Sequence, residues 1–409
     1  MSPADPFSTC RAAFPALRRA LGGEPLAFFD GPGGTQVPQA VIDAVSDYYT
    51  RCNANTHGQF VTAQESDQII QETREHLAAF LNAPSWQCIS LGANMTTLAF
   101  SLSRALAREL KHGDEVVITQ LDHEANRGPW LALAEHGAVI REVAMRPDGT
   151  LDPEGLTAQI NPRTRLVAIG YASNALGTVN DLALARRLSK AVGARLLIDA
   201  VHAAPHFSLD VQELDTDFLL CSAYKFYGPH VGVLYARPGL LDRLSPDRLC
   251  TQDPEGPFRI ETGTLNHAAL AGVRAAVDFL AGFSDGATLR ERLVRTMTVL
   301  ARREHALAKG YYERVRAIPG VTVWGPDFST AQRAPTVSIT VGDLHAETVA
   351  RQLGARGVLV WDGNFYAQRA IGLLGLDPQG GVVRAGVSMY TSGQDIQRLL
   401  DGVAAIARG

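Results

Sequence analysis

The chain has 409 residues, of which 46% are hydrophobic and 20% are charged, and its formal net charge is −4. These values are typical of a globular protein, and the length favours two domains. The weak negative charge and the lack of a basic stripe argue against a nucleic-acid partner, and no run of about 18 apolar residues predicts a membrane span.

The cysteines point to a reducing compartment. All five are scattered along the sequence, and no CxxC motif pairs them. This pattern is typical of reduced thiols, so we expect a cytoplasmic protein and predict no metal site. The stretch MSPADPFSTCRAAFPALRR lacks the basic-then-apolar order of a signal peptide.

Short apolar strands alternate with amphipathic helices between about residues 85 and 237. Buried strands are predicted at EVVIT (115–119), RLVAIGY (165–171), RLLIDA (195–200), DFLLCS (217–222) and VGVLYA (231–236). Near-continuous apolar runs of this kind are typical of parallel strands that are covered on both faces. Between two of them, DLALARRLSKAVGA predicts a helix that begins after Asp181 and ends near Gly193. The predicted fold class is α/β with a mostly parallel central sheet.

The pattern changes after about residue 280. A long charged helical stretch leads into the strand patterns VTVWG, TVSITVG, GVLVWDG and VVRAGVSMY, with two helical patterns interleaved. This order predicts a smaller α+β domain. We therefore assign residues 27–280 to a large α/β domain, and residues 1–26 and 281–409 to the small domain.

One lysine stands apart from the other basic residues. Lys111, Lys190 and Lys309 each end a helical pattern close to a glycine, where a cation suits the helix C-terminus. Lys225 instead follows the apolar run DFLLCSA and precedes YGP. Since lysine can lose its proton and form an imine, whereas arginine cannot, this position indicates a chemical role.

Further polar residues follow the predicted strands, where open α/β sheets bind ligands. Gly92 opens a turn into a helix, a place that suits phosphate, and His123, Asn174 and Asp199 each follow a strand. Each has an ordinary structural explanation, such as a surface histidine, an Asx turn or a helix cap. Together with Lys225 they suit pyridoxal 5'-phosphate (PLP), which needs an amine, a carboxylate for its ring nitrogen, and donors for its phosphate.

With these motifs in this order, the chain resembles fold-type I PLP enzymes of the class V aminotransferase group, in the cysteine desulfurase branch. The similarity runs from FFDGPGGTQVP (28–38) through LDHEANRGPW, SNALGT, IDAVHA, SAYKFYGP and ETGTLN to RAGVSMYTS. The resemblance implies a PLP-dependent enzyme with a mostly parallel sheet in its large domain.

The resemblance also assigns roles to individual residues. It implies that Lys225 holds the cofactor and later moves protons, that Asp199 pairs with the pyridine nitrogen, and that His123 stacks on the ring. The other implied cofactor contacts are Ala93, Asn94, Asn174, His202, Ser222, Tyr224 and Thr264. Because Thr264 would reach the phosphate of a second subunit, a homodimer with shared sites is implied.

Substrate-binding candidates come from both halves of the chain. The resemblance implies that Arg384 clamps a substrate carboxylate through two hydrogen bonds. The other candidates for the pocket lining are Asn55, His57, Trp361 and Tyr366. For Trp361 and Tyr366, packing within the small domain is an equal alternative.

The sequence departs from the desulfurase pattern at its loop motif. Desulfurases carry the sulfur-accepting cysteine in a loop that ends roughly GHHCA, and the equivalent stretch here is WDGNFYA (361–367), with Tyr366 at the nucleophile position. No cysteine follows Cys250. Trp361 replaces a frequent arginine, and His202 replaces a usual glutamine. These differences predict a desulfurase-like scaffold that lacks the catalytic loop cysteine.

The leading hypothesis is an enzyme that acts on an amino acid through an external aldimine and a Cα carbanion, with β-elimination of the C–S lyase type as the reaction. Transamination or epimerisation is the alternative, and a true desulfurase or a non-catalytic PLP-fold binding protein is less favoured. A nucleotide site is not predicted, since no strand is followed by GxGxxG or GxxxxGK[ST].

Overall fold

The computed structural model describes Phe7, residues 9–329 and residues 332–409. Its larger sheet contains seven strands: β1 (Ile89–Gly92), β2 (Glu115–Thr119), β3 (Val139–Val143), β4 (Thr164–Gly170), β5 (Arg195–Asp199), β6 (Phe218–Ser222) and β7 (Gly232–Ala236). Their spatial order is β1-β7-β6-β5-β4-β2-β3. The predicted α/β class is confirmed, and four of the five predicted strands lie side by side and parallel.

The direction of β7 differs from the expectation of a parallel strand. It runs antiparallel to both β6 and β1. Only residues 223–231 connect β6 to β7, and a parallel crossover needs a dozen or more residues. The chain therefore turns straight back, and this short connection carries Lys225.

The edge strand β3 was not predicted. Its first residue, Val139, is exposed and its last, Val143, is buried, with intermediate burial between them. An edge strand that is covered on one side lacks the continuous apolar run by which the inner strands are predicted.

The described residues contain thirteen α-helices, which alternate along the chain with the strands of both sheets. They are α1 (Gln39–Arg51), α2 (Val61–Leu81), α3 (Met95–Ala107), α4 (Gly128–Leu131), α5 (Pro153–Gln159), α6 (Leu182–Val192), α7 (Val211–Leu214), α8 (Leu240–Arg243), α9 (His267–Ala281), α10 (Leu289–Val315), α11 (Ala346–Gly354), α12 (Gln368–Leu373) and α13 (Gly393–Ala407). The predicted helix α6 has its Asp181 cap and ends at Gly193, which adopts φ 71°. Within the described ranges, no helix is both long enough and apolar enough to cross a membrane.

A second, four-stranded sheet lies in the C-terminal part of the chain. It contains β8 (Val321–Trp324), β9 (Thr336–Val341), β10 (Trp361–Gly363) and β11 (Val382–Gly386) in the order β8-β9-β11-β10, and all neighbours are antiparallel. Its core is continued by the N-terminal strand Ala27–Phe28, which pairs with Val358–Leu359. The division of the chain into two domains with boundaries at 27 and 280 stays a prediction.

Candidate active site

A cavity of about 620 Å³ lies where the parallel strands of the large sheet end. This volume is within the range of small-molecule and cofactor sites. It brings together most of the residues that the sequence singled out for a cofactor: Asn94, His123, Asn174, Asp199, His202, Ser222, Tyr224 and Lys225. Residues more than 130 positions apart in the chain meet there because parallel strands end at one edge of the sheet.

Lys225 is buried at this edge, with 9% of its surface exposed. Its Nζ donates to the carbonyl of Pro32, which belongs to the N-terminal motif FFDGPGG, and lies over the ring of Tyr224 at 5.0 Å from the centroid. Burial and, to a smaller extent, the charge of Arg384 lower the pKa of the amine to about 7, against the opposing charge of Asp199. At neutral pH a large fraction of the amine is therefore unprotonated and able to act as a nucleophile or base.

Asp199 ends β5 and lies on the floor of the cavity. Its Oδ1 accepts a hydrogen bond of 2.9 Å from the backbone N–H of Val201, which leaves Oδ2 available to a ligand. Burial raises the pKa of this carboxyl to about 6, against the Val201 hydrogen bond and the charge of Lys225. A cationic ring nitrogen in the cavity would favour the charged form and reverse this shift.

A second buried carboxyl, Asp122, lines the same cavity and was missed by the sequence analysis. It accepts hydrogen bonds from the Gly170 amide at 2.7 Å and from Asn126 Nδ2 at 3.3 Å. Burial raises its pKa to about 7, and the charge of Asp199 contributes in the same direction. The motif LDHEANRGPW contains this residue, but an aspartate beside a candidate histidine has no distinctive sequence signal.

His123 is an uncharged ring in this environment. Burial lowers its pKa to about 4, with contributions from Lys225 and Arg384. Its Nδ1 accepts the backbone N–H of Ala125 at 2.9 Å, so the neutral ring carries its proton on Nε2. A neutral, fixed imidazole at the cavity wall suits stacking on a flat, cationic cofactor ring.

The N-terminus of α3 lies at the end of the cavity that suits a phosphate group. Asn94 caps the helix by accepting from Thr97 N at 3.0 Å, and the Ser222 hydroxyl accepts from Met95 N at 3.0 Å. Gly232 permits this close approach, because a Cβ there would lie 2.3 Å from the Asn94 backbone. The hydroxyl proton of Ser222 and the Thr96 amide, which lies between the two bonded amides, can bind an anion here.

An adjacent cavity of about 380 Å³ holds the remaining phosphate candidates, Ala93 and Thr264. His230, which the sequence analysis missed, lines both cavities and stacks on Tyr224 with ring centroids 4.6 Å apart. Thr264 is exposed in this chain. Of the phosphate candidates, Asn94 and Ser222 therefore line the main cavity, whereas Ala93 and Thr264 lie in the adjacent one.

His202 connects the cavity to the small sheet. Its Nε2 is 3.0 Å from the Thr336 hydroxyl on β9, which leaves Nδ1 as the nitrogen available to a ligand. Burial lowers the pKa of the ring, with smaller contributions from His206 and the cationic groups around the cavity, so it is neutral. Behind it, His206 Nδ1 is 2.7 Å from the fully buried Glu304 carboxylate.

Arg384 lies on β11 and is 3% exposed. Its Nη1 donates to the Asn174 carbonyl at 3.0 Å, whereas its Nε is a buried donor with no hydrogen-bond partner among the described residues. Burial lowers the pKa of the guanidinium to about 9, so it remains charged at neutral pH. The unmet donor on a buried cation is suited to a carboxylate ligand.

The segment 361–367 lies beside the cavity and does not line it. Trp361 is 49% exposed and donates from Nε1 to the Asp30 carbonyl at 3.1 Å. Tyr366 is 71% exposed, and its ring lies 5.3 Å from that of His123. Trp361 therefore contacts the N-terminal motif and Tyr366 lies near the cavity wall, and both side chains are open to solvent.

Asn55 and His57 lie in the connection between α1 and α2, outside this cavity. The His57 side chain is 89% exposed, and its backbone N–H donates to Asp67. Asn55 is also exposed and accepts from Thr56 N at 2.8 Å. The structure therefore does not bring these two candidates to the cavity within a single chain.

The residues present fit PLP. The cavity contains a buried amine with a low pKa, a carboxylate with one free oxygen, a neutral imidazole wall and a helix N-terminus for a phosphate. Asn174 Oδ1 is in addition a buried acceptor with no hydrogen-bond partner in the described part of the chain. A bound group with a donor would satisfy that atom.

The chain is similar to known proteins over nearly its full length. A cysteine desulfurase of Serratia proteamaculans is 32% identical over 421 aligned residues, and one of Salmonella typhimurium is 31% identical over 419; both alignments cover 98% of each chain. Cysteine desulfurase structures from Escherichia coli and Thermococcus onnurineus NA1 each superpose with a TM-score of 0.86 at 27% identity. The first superposition covers 98% of both chains, and the second covers 94% of this chain and 95% of the other.

The model of the family described as Aminotransferase class-V matches residues 27–399. This range includes both sheets and every residue that lines the main cavity. The chain therefore belongs to the class-V aminotransferase family of fold-type I, PLP-dependent enzymes.

Proposed function

We propose that this enzyme removes a sulfur-containing β-substituent from an amino acid by elimination. The observation that carries the proposal is the combination of a buried amine able to take a proton, Lys225, with a loop that presents Phe365 and Tyr366 where a desulfurase carries its cysteine. Elimination requires a base and a carboxylate anchor, and it requires no protein nucleophile.

Lys225 is the proposed base. PLP, when bound, supplies an aldehyde for amines and a ring that takes up the electron pair released at Cα. Lys225 Nζ takes the Cα proton of the substrate, and its lowered pKa leaves it unprotonated often enough at neutral pH to do so. With PLP bound, Asp199 Oδ2 would hold the proton on the ring nitrogen, and the neutral His123 would stack on the ring.

Arg384 is the proposed anchor for the substrate carboxylate, through Nε and Nη2, the edge of the guanidinium that does not bond Asn174. In the elimination the Cβ–S bond breaks and its electron pair leaves on the sulfur, which takes up the proton that Lys225 removed from Cα and departs as a thiol. Water then hydrolyses the three-carbon remainder to pyruvate and ammonium. Trp361 in place of a second arginine favours an uncharged, bulky sulfur substituent over an acidic one.

Desulfuration with a protein-bound persulfide is the less favoured reaction. A phenol of ordinary pKa, about 10, cannot carry a persulfide, so Tyr366 cannot replace the cysteine. All five cysteines are described, and none lines the main cavity. Cys250 is exposed on the 245–257 connection.

Epimerisation is the second candidate function, with transamination on the same scaffold. An epimerase needs an acid or base on the face of the substrate opposite Lys225. Tyr366 is an exposed phenol whose ring lies 5.3 Å from that of His123, which makes it the candidate for that second acid or base.

We further propose a homodimer. Thr264 and the Asn55–His57 segment are exposed, as are Tyr49 (59%) and Phe60 (58%) on or beside α1 and α2. A second copy that covers these aromatic side chains would bring Thr264 to a phosphate and His57 to a substrate. Light scattering of the purified protein measures the mass directly, and a monomer at catalytic concentration would contradict the shared site.

The test of the reaction is a product assay with a panel of S-substituted cysteines and cysteine. Elimination predicts equal amounts of pyruvate, ammonium and thiol, with no sulfur retained on the protein. Alanine together with persulfide on the protein would establish desulfuration. Conversion of an L-amino acid to its D-form, without pyruvate, would establish epimerisation.

A further inference from the structure

The loop 363–367, which we call the Phe365 loop, is held against the cavity by backbone hydrogen bonds. The Tyr366 carbonyl accepts from Glu124 N at 2.7 Å, and the Phe365 carbonyl accepts from Asn174 Nδ2 at 2.9 Å. Phe365 and Tyr366 both adopt positive φ, 56° and 58°, which costs free energy in residues with side chains. The docked loop is therefore stabilised by its contacts against an unfavourable backbone conformation.

The ring of Phe365 covers the anchor residue. Arg384 Cζ lies 3.8 Å from the centroid of this ring, at cation–π distance. Arg384 Nε is buried without a partner, and Arg384 does not line the main cavity. Because Arg384 is almost fully buried and its guanidinium lies over the Phe365 ring, a substrate carboxylate can reach the guanidinium only if a neighbouring group moves.

We propose that Phe365 is a gate on the carboxylate site. In the docked loop its ring packs against the guanidinium of Arg384, and a substrate carboxylate must displace the ring to bind there. The proposal rests on the proposed function only in taking Arg384 as the carboxylate anchor. One movement of the loop would also release Asn174 Nδ2 from the Phe365 carbonyl. Carboxylate binding and the hydrogen bonding of Asn174 are thereby coupled through one residue.

The experiment measures carboxylate binding to the holoenzyme without catalysis. Propionate is titrated while the visible absorbance of bound PLP is recorded, and propionamide serves as the uncharged control ligand. Phe365→Ala and Phe365→Gly both remove the ring, but glycine tolerates the positive φ and alanine does not. Both variants are expected to bind propionate about 2- to 30-fold more tightly, the range that corresponds to loss of a competing cation–π contact.

A matched control comes from a second buried arginine. Arg333 Cζ lies 4.4 Å from the ring centroid of Phe328, and neither residue lines the main cavity. Phe328→Ala should leave propionate affinity within about 2-fold of the parent protein. Propionamide binding should be unchanged in every variant.

The outcomes separate the gate from the anchor. If Phe365→Ala and Phe365→Gly retain PLP and bind propionate with unchanged or weaker affinity, the gate is refuted. If only the alanine variant binds more tightly, backbone strain rather than the ring is responsible, and the gate is also refuted. If Arg384→Gln loses propionate binding and the Phe365 variants bind propionate as the parent protein does, only the gate is refuted. If Arg384→Gln binds propionate as the parent protein does, both the anchor and the gate are refuted.

Discussion

The strand ends of the large sheet and the segment 361–367 both carry predicted site residues, but they differ in burial. Asp199, Ser222 and Lys225 are each less than 10% exposed, and their polar atoms bond backbone groups. Trp361 and Tyr366 are 49% and 71% exposed. The polar groups of the first region are fixed by packing and hydrogen bonds, whereas the side chains of the second are exposed and can be substituted without disturbing the core.

This contrast separates two parts of the enzyme's chemistry. Groups that tune a cofactor need low dielectric and fixed geometry, so they lie in the packed interior. The exposed candidates Trp361 and Tyr366 lie where substitutions leave the core intact, whereas the proposed anchor Arg384 is buried. The differences from the desulfurase pattern that the sequence predicts at Trp361 and Tyr366 lie in the second region.

The largest expected effect is that of removing the buried amine. Lys225→Ala should lower the turnover of any substrate by about 10²–10⁴-fold, since it removes the proposed base, and should abolish the visible absorbance of bound PLP. Lys190→Ala, which removes a surface lysine paired with Asp215, is the control and should change neither. Retention of the absorbance by Lys225→Ala would disprove the lysine assignment.

A smaller loss is expected at the carboxylate. Asp199→Asn should reduce turnover by about 10²–10³-fold while PLP still binds, because an amide cannot hold a proton on the ring nitrogen. Asp247→Asn removes an exposed carboxylate that pairs with Arg104 and Arg108, and should have no such effect. Near-normal turnover in Asp199→Asn would place the ring nitrogen elsewhere in the cavity.

The pH dependence of PLP uptake tests the buried amine directly. The neutral form reacts, and its fraction rises with pH through the lowered pKa of Lys225, about 7. The rate at which apoprotein acquires visible absorbance should therefore rise about tenfold from pH 6 to pH 8 and then level off. Arg384→Gln should move the midpoint to higher pH, since Arg384 lowers this pKa. A rate still rising steeply above pH 9 would contradict the assigned shift.

The smallest effect is expected on the exposed segment. Tyr366→Phe should change elimination rates by less than about 2-fold, because the hydroxyl belongs to an exposed side chain and has no role in that reaction. Measurement of kcat and KM with the best substrate of the panel gives the answer. A loss of 100-fold or more would instead identify Tyr366 as an acid or base and favour epimerisation.

Much of the fold could be predicted from the sequence because its inner strands are continuous apolar runs. The same rule missed β3, which is an edge strand, and assigned β7 to the parallel set, since an apolar run carries no information on direction. Lys225 could be singled out because it follows a buried apolar run, whereas the other three lysines end amphipathic helical patterns. Asp122 and Phe365 could not, because their roles depend on neighbours that are distant in the sequence.

The sequence by itself determined the α/β class, the position of the candidate lysine and the set of polar residues that follow the strands. These features depend on local periodicity and on residue chemistry. The tertiary structure alone decided that Phe365 lies over Arg384, that Asn55 and His57 are outside the cavity of their own chain, and that burial lowers the pKa of Lys225 to about 7. Distances between remote segments and the dielectric around a charge arise only when the chain is packed.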